Sequence, residues 1–304
     1  MFKSLRRLCV AALLAAALAQ SALAAEGQRA ALLAQYQRIL PQLIRNSFGV
    51  PVSVRSTDNG DVLSADVFGL IDQPLETVAE TLGQPRAWCQ FVPLTLNVKA
   101  CTYTQRASNF RLTLFMGRKY YEPPEKAYQV RYRFTSDRAN DGLFRVALYG
   151  GDGPLGTEDY RIEVEATTVG AGTLVHIRCS YRPSTRSRWA TAVYLATLGR
   201  DKVGFTRMGA GADGRPLLVG GVRGIIERNV MRYYLALVTV LDTRTVPVDG
   251  RFEARIRRWF DLAERYPAQL HELDRTEYLQ AKRREHRNQQ RLQAMQTAAL
   301  APGS

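Results

Sequence analysis

The sequence predicts an α+β fold in which a curved antiparallel sheet wraps around a long C-terminal α-helix. Two observations support this prediction. Apolar and polar residues alternate in successive segments between residues 96 and 181, as in antiparallel strands with one covered and one wet face. A helix predicted over Gly224–Asp242 is apolar nearly all round, so it must be covered on more than one side. Folds with this order of elements enclose a cavity between sheet and helix.

The chain begins with the pattern of a secretion signal. A basic stretch, Lys3–Arg7, precedes an apolar run, Leu8–Leu18, and the small-x-small sequence Ala22–Ala24. The apolar run is short for a membrane span, which needs roughly 20 residues, so cleavage is favoured over an uncleaved anchor. We therefore expect residues 1–25 to be a signal peptide cleaved near Ala24, and the remaining protein to be periplasmic.

The charge of the chain limits its partners. The formal net charge is +14, and removing Lys3, Arg6 and Arg7 with the leader leaves +11. An exported basic protein rarely meets nucleic acid, so we expect no nucleic-acid partner. The polyanion it would meet is an anionic phospholipid or lipopolysaccharide surface. A basic surface that only keeps the protein soluble is the alternative.

Three cysteines follow the leader: Cys89, Cys101 and Cys179. In an oxidising compartment a disulfide is expected, and Cys89 and Cys101 are the favoured pair because they flank a short helix-to-strand connection. A Cys101–Cys179 bridge between strands is the alternative. Otherwise Cys179 is a buried free thiol on the apolar face of its strand. Neither a CxxC motif nor a Cys/His cluster is present, so we expect no metal and no cofactor.

The N-terminal half is predicted to contain two helices and the first strand. Apolar residues at helical spacing predict a helix over residues 26–48. The stretch Gly49–Asp61 is predicted as turns, and Val62–Ile71 as a strand. The helix Pro74–Pro85 follows, because proline is well suited to the first helical position.

Six further strands are expected at about ten-residue spacing. They are Leu96–Gln105, Phe110–Met116, Tyr128–Phe134, Leu143–Tyr149, Tyr160–Ala166 and Leu174–Tyr181. Charged residues on their polar faces are predicted to form cross-strand pairs on the wet side of the sheet. These residues are Arg131, Arg133, Glu163, Glu165 and Arg178.

The segment Arg182–Lys202 is predicted to be a short helix with Trp189, Val193 and Ala196 on one stripe. Two interpretations stay open: a helix packed on the sheet, or a membrane-surface helix whose apolar stripe lies between cationic ends. A hairpin over residues 203–219 follows. Its turn matches GxGxxG at residues 209–214, but extended residues follow instead of the helix that a dinucleotide site needs.

The chain is therefore expected to divide into five parts. The signal peptide, residues 1–25, precedes an N-terminal helix, residues 26–50, and a main domain, residues 51–243. A helical extension covers residues 244–291, and residues 292–304 are expected to be a disordered tail.

The stretch from about Val62 to Thr243 resembles the START-like, or SRPBCC, superfamily. The run Val67–Pro74, which passes from strand into helix, and Trp88–Pro93 at the next turn carry the resemblance, together with the strands, the hairpin and the terminal helix. The resemblance implies a helix-grip fold with a deep cavity. Members of the superfamily bind sterols, phospholipids, quinones, polyketides and hormones, and a minority are enzymes. The helices before residue 50 and after residue 250 have no counterpart in the minimal fold.

The favoured hypothesis is non-catalytic binding or transfer of a lipid or other hydrophobic small molecule in the bacterial cell envelope. Apolar residues of the sheet and of the long helix would line the cavity. They are Leu112, Leu114, Val130, Tyr132, Ile162, Tyr233 and Leu237. Asn229 and Arg232 would orient the ligand, because polar residues in so apolar a helix need partners. Alternatively, both bond only to loops or to the sheet.

Two other hypotheses belong to different classes. An enzyme of cyclase or hydrolase type would use the same cavity, but the three histidines, His176, His271 and His286, lie in no triad setting and no GxSxG or HExxH motif is present. We therefore assign no catalytic residue. A structural or interaction module of the envelope would use the basic C-terminal helix, whose cations could equally be a solvated face. These cations are Lys282, Arg283, Arg284, Arg287 and Arg291.

Overall fold

A computed structural model describes residues 26–46, 49–106, 109–138, 142–196, 202–211 and 213–300. The predicted signal peptide lies outside these residues. One sheet of eight antiparallel strands dominates the fold, in the spatial order β1-β2-β8-β7-β6-β5-β4-β3. The strands are β1 Val52–Asp58, β2 Leu63–Ile71, β3 Val98–Arg106, β4 Asn109–Met116, β5 Tyr128–Arg138, β6 Leu143–Asp152, β7 Glu158–Val169 and β8 Gly172–Arg182.

Helices precede, interrupt and follow the sheet. They are α1 over residues 26–44, α2 Leu75–Leu82, α3 Pro85–Phe91, α4 Thr185–Ala196, α5 Gly221–Asp242, α6 Val248–Ala263, α7 Pro267–Leu270 and α8 Arg275–Ala298. A two-stranded hairpin, β9 Arg207–Ala210 and β10 Pro216–Leu218, lies between α4 and α5. The predicted α+β architecture, with a curved sheet around the long C-terminal helix α5 and extra helices at both ends, is confirmed.

Helix α5 lies against the inner face of the sheet and packs on β2, β1 and β8. Gly69 of β2 permits this approach, because a Cβ added there would lie 2.2 Å from the hydroxyl oxygen of Tyr234. Buried Glu227 fastens the N-terminal part of α5: its carboxylate accepts hydrogen bonds from the Ser56 and Thr206 hydroxyls at 2.6 Å. It also accepts bonds from the backbone N–H groups of Phe205 and Thr206, so the buried charge is well satisfied.

The outer face of the sheet is covered at one side by α1. Leu32, Tyr36 and Leu43 of this helix pack against Phe68 of β2 and Leu174 of β8. Strand β2 is therefore buried on both faces, which explains why almost every residue in it is inaccessible. The rest of the core is one cluster between the inner face of the sheet and helices α2, α3, α5 and α6.

Helix α8 covers the edge strand β3. The side chain of Gln289 accepts a hydrogen bond from the backbone N–H of Cys101, and that of Gln293 accepts from the N–H of Tyr103 and donates to its carbonyl. These bonds replace the strand that an exposed edge would otherwise recruit. They also correct the tail prediction, because the helix continues to Ala298 where disorder was expected from residue 292.

The sequence pattern also missed strand β1. Val52–Asp58 falls within the stretch predicted as turns, but it pairs in register with β2 through the turn at Asp58–Gly60. Val52, Val54 and Ser56 point inward. The division of the chain at residues 50 and 243 stays a prediction.

The disulfide Cys89–Cys101 is present and joins α3 to β3, as predicted. Cys179 is a buried free thiol. Within the described residues, no helix combines the length and apolar character that a membrane crossing requires.

A candidate crevice lined by tyrosines

The apolar residues predicted to line a cavity lie on the inner face of the sheet and on α5. Leu112, Leu114, Val130 and Leu237 are fully buried in the main core cluster, and Ile162 is nearly so. They therefore form the packed wall of the grip between sheet and helix.

A row of tyrosines crosses this wall at one level of the sheet. Tyr132 of β5, Tyr160 of β7 and Tyr181 of β8 all point inward, and the rings of Tyr160 and Tyr181 stack at 5.2 Å. Gly150 of β6 pairs with Tyr160, and a Cβ added at Gly150 would lie 3.2 Å from the Tyr132 ring. Strand β6 therefore contributes no side chain to the row, and the neighbouring Tyr132 and Val130 pack directly against the backbone of Gly150. Tyr233 of α5 belongs to the same cluster, since it interacts electrostatically with Tyr132 and Tyr160.

Three of these hydroxyls have no hydrogen-bond partner among the residues that the structure describes. In the described part of the chain, the fully buried and unpaired side-chain polar atoms are the Nε atoms of three arginines. The hydroxyls of Tyr132, Tyr181 and Tyr233 make no hydrogen bond to described residues, yet they are not among those atoms. Each of these side chains is buried or half-buried, and its hydroxyl oxygen keeps some accessible surface. We call the cluster of Tyr132, Tyr160, Tyr181 and Tyr233 the tyrosine crevice.

The crevice is suited to binding rather than to proton abstraction. Burial raises the pKa of Tyr132, Tyr181 and Tyr233, and burial also raises the pKa of the Cys179 thiol beside them. At neutral pH these groups are protonated, so the phenols can donate and accept hydrogen bonds but supply no phenolate base.

The loop between β6 and β7 closes one end of the crevice. A Cβ at Gly153 would lie 2.1 Å from the Tyr160 ring, so this backbone passes directly over the ring. Leu155 and Asp159 both have positive φ, and the register of β7 shifts beside Asp159. Such irregular backbone is common near functional sites.

Helix α4 caps the same end. The Ser184 hydroxyl donates to the carbonyl of Leu155, Arg188 pairs with Asp58 at 3.3 Å, and Lys119 donates to the Tyr194 hydroxyl at 3.0 Å. These contacts leave Trp189 and Val193 on the outer side, exposed by 72% and 45%. The interpretation of α4 as a helix that packs its apolar stripe on the sheet is therefore wrong for these two residues. The side chain of Ala196, the third stripe residue, lies outside the described side chains.

The two polar residues predicted to orient a ligand have partners in the protein. Arg232 is buried and donates to Glu272, in the loop after α7, at 3.0 Å, and to Asn229 at 3.3 Å. Glu272 also accepts from Lys119 at 2.6 Å. Burial lowers the pKa of Arg232, and the carboxylate opposes this shift. Arg232 therefore bonds a loop, as the alternative expects, whereas Asn229 bonds Arg232 within α5.

Two other clefts lie away from the crevice. A groove of about 740 Å³ runs between α8 and the disulfide, lined by Tyr103, Gln289 and Gln293 among others. A smaller apolar cleft of about 170 Å³ lies where β2 and α5 end, beside Tyr234 and Tyr266. Neither is lined by any of the predicted ligand-binding residues.

The histidines lie outside the crevice. His176 is on the outer face of the sheet, bonded to Asp66 at 2.8 Å and to Glu165 at 3.1 Å and stacked on Phe68. No described nucleophile contacts it. His271 bonds Glu264 and His286 stacks on Phe252, both in the C-terminal helical region.

Tyr132 and Tyr233 of the crevice were among the predicted residues, whereas Tyr160 and Tyr181 were not. The signal for both was present, since each shares the inward face of its strand with predicted or buried apolar residues. The alternation of their strands could therefore have added them to the candidate set.

The topology decides the fold type: eight antiparallel strands grip α5, and helices lie between the second and third strands. The fold is therefore a helix grip. No protein-family model matches the chain, and no curated protein matches it.

Three solved structures illustrate the similarity. A STAR-related lipid transfer protein from Xanthomonas axonopodis is 15% identical, with 50% of this chain and 87% of that chain covered and a TM-score of 0.36. An aromatase/cyclase from a Streptomyces species is 14% identical, with 62% and 98% covered and a TM-score of 0.35. A protein of unknown function from Staphylococcus aureus is 11% identical, with 62% and 98% covered and a TM-score of 0.39. At these sequence identities and TM-scores, the function of each solved structure is a property of that protein alone.

Proposed function

We propose that this protein binds a hydrophobic small molecule that carries a polar group, without catalysis, in the tyrosine crevice. The observation that carries the proposal is the set of three hydroxyls, of Tyr132, Tyr181 and Tyr233, that have no hydrogen-bond partner among the described residues and lie beside the apolar core. Buried polar groups are normally hydrogen-bonded, and a ligand group between the sheet and α5 would supply the missing partner. Apolar surface around it would provide affinity at roughly 25 cal/mol per Å².

The ligand would contact the sheet wall predicted from the sequence. Leu112, Val130 and Ile162 surround Tyr132 and Tyr160 on the same face, so the apolar part of the ligand would lie against them. Acid/base chemistry is not part of the proposal, because burial keeps the phenols protonated.

The direct test is a titration with N-phenyl-1-naphthylamine, a neutral apolar fluorophore, followed by native mass spectrometry after incubation with bacterial envelope lipids. Tyr132→Phe and Tyr233→Phe each remove one hydroxyl without changing the ring. Each is expected to weaken retention of the lipid by about three- to tenfold, the value of one hydrogen bond. Tyr36→Phe, on α1 at the other face of the sheet, is the matched control and should change nothing.

A second pair of variants tests the space itself. Gly150→Leu places a side chain against the Tyr132 ring and should abolish binding of the fluorophore. Gly151→Leu is its control, because a Cβ at Gly151 meets nothing within 4 Å. Equal binding by both folded variants, or no bound lipid and no fluorophore binding by the unaltered protein, would overturn the proposal.

We also propose that the protein works in the oxidising cell envelope. The leader pattern of the sequence and the disulfide Cys89–Cys101 support this location. N-terminal sequencing of the protein from fractionated cells should find a periplasmic chain that begins just after Ala24 or Ala25. A cytoplasmic chain that keeps Met1 and carries reduced Cys89 would contradict it.

A further inference from the structure

Helix α4 exposes apolar side chains and buries polar ones. A helix on a protein surface normally buries its apolar residues. In α4 the buried or half-buried side carries Ser187, Arg188 and Tyr194, while Trp189 and Val193 face outward one turn apart. Ser187 bonds Ser184 just before the helix, whereas Arg188 and Tyr194 bond the β1–β2 and β4–β5 connections. Leu155, exposed by 56%, lies in the loop that contacts the start of this helix. These three apolar side chains form a patch that we call the α4 patch.

The charged residues of α4 itself are all positive. Helix α4 contains no acidic residue, and Arg186 lies on its exposed side without an ion-pair partner among the described residues. Of the nearby carboxylates, Asp58 pairs with Arg188 and Asp159 with Arg182 at 3.1 Å. Asp61, Asp152 and Glu158 are exposed and form no ion pair with described residues. An occupant of this surface must therefore tolerate or neutralise cations next to an apolar contact.

We propose that the α4 patch docks the protein on an anionic lipid bilayer. Tryptophan side chains favour the membrane–water interface, and cations beside an apolar face bind anionic headgroups. A second copy of the chain fits less well, because a two-fold interface would place Arg186 close to the Arg186 of its partner. Docking would bring the capped end of the tyrosine crevice to the bilayer. The purpose of docking would be delivery or uptake of a ligand, and this purpose rests on the proposed function. The docking itself does not.

The chain offers a selective reporter of docking. It has three tryptophans, and the other two are buried: Trp88 is 3% and Trp259 is 1% exposed. A change in tryptophan emission or in quenching by acrylamide therefore reports on Trp189. We expect a blue shift and protection from acrylamide with vesicles of phosphatidylglycerol and phosphatidylcholine, no change with phosphatidylcholine alone, and loss of the effect at high salt.

Co-sedimentation with the same vesicles tests the residues. The double variant Trp189→Ser/Val193→Ser should bind at least about tenfold more weakly, because the apolar area that enters the interface is lost. Arg186→Gln should weaken binding by about fivefold, the effect of one cation near an anionic surface. Ile44→Ser, on α1 and 68% exposed, removes an equally exposed apolar side chain elsewhere and should bind normally.

The outcomes separate this inference from the proposed function. Vesicle binding that is unchanged in the double variant, or an emission of Trp189 that does not respond to anionic vesicles, overturns docking. A blue shift that appears without vesicles as the protein concentration rises, together with a dimer in sedimentation velocity, overturns it in favour of a second copy. Tyr132→Phe should still bind vesicles, and the double variant should still bind the fluorophore. Failure of one assay alone therefore identifies which proposal is wrong.

Discussion

Two buried lysines share one carboxylate where α8 meets the sheet. Lys99 of β3 donates to Glu285 at 2.9 Å and to the carbonyls of Leu96 and Tyr120. Lys282 donates to the other oxygen of Glu285 at 2.6 Å and to two further carbonyls. All three charged side chains are almost fully buried, so the group carries one excess positive charge out of contact with water.

This excess charge predicts an unusual pH dependence. Burial is the largest cause that lowers the pKa of Lys282, which falls from 10.5 to about 8 even though Glu285 opposes the shift. A base whose pKa is lower in the folded state costs stability while it is protonated. Between about pH 8 and pH 10.5 the unfolded chain holds the extra proton, so the free energy of unfolding should rise with pH. The full difference corresponds to about 3 kcal/mol, of which about 2 kcal/mol lies between pH 7 and pH 9.5.

Urea unfolding at a series of pH values measures this effect. Trp259 stacks on Tyr278 of α8 at 5.1 Å, so tryptophan fluorescence follows the relevant region. The comparison is with Lys282→Met, in which the rise between pH 7 and pH 9.5 should disappear. The companion variant Glu285→Gln leaves two buried lysines without an anion and should lose about 3 kcal/mol or more at pH 7. A rise of equal size in the unaltered protein and in Lys282→Met would refute the reasoning.

Two further predictions concern the disulfide and His176. The disulfide closes a loop of 12 residues, so Cys89→Ser/Cys101→Ser should lose about 3 kcal/mol of unfolding free energy; a urea midpoint insensitive to reductant would contradict this. Burial by itself lowers the pKa of His176, but hydrogen bonds to Asp66 and Glu165 outweigh it and the net shift is upward. The stability that His176 contributes is therefore complete below about pH 6.5 and lost as the pH rises through the folded pKa. His176→Gln should remove this decline in urea unfolding between pH 6 and 8, and a decline of equal steepness in the variant would show that other groups cause it.

The strands and the long helix could be predicted because burial imposes a period on the sequence. Strands β4 to β8 have one covered face, so their alternation is visible. Strand β1 lacks this signal: its third inward residue is Ser56, which is buried because it bonds Glu227, 171 residues away. A polar residue at an inward position breaks the alternation, and only the tertiary contact explains it.

The polar residues of the candidate site could not be placed from the sequence for a similar reason. The pattern shows that Arg232 needs a partner but cannot show that Glu272, 40 residues later, provides it. For α4, the stripe of Trp189 and Val193 has the same spacing whether it faces the sheet or the solvent. The orientation is decided by Arg188 and Tyr194, whose partners lie in hairpins of the sheet.

Helix α8 shows how these long-range contacts change the choice of experiment. Its basic residues suggested a surface for an acidic partner, yet Lys282 is buried and Arg283 forms a two-pronged pair with Glu253 at 2.8 Å. Deleting residues 274–304 would also expose the backbone of β3 and remove the carboxylate that pairs with Lys99. A loss of vesicle binding would then not distinguish a lost binding surface from an unfolded protein. Arg287 and Arg291 are exposed, and replacing them with glutamine leaves those contacts in place. If α8 contributes to binding of anionic vesicles, the double variant Arg287→Gln/Arg291→Gln should bind vesicles more weakly while its urea midpoint stays unchanged. If the α4 patch acts alone, neither vesicle binding nor the urea midpoint should change.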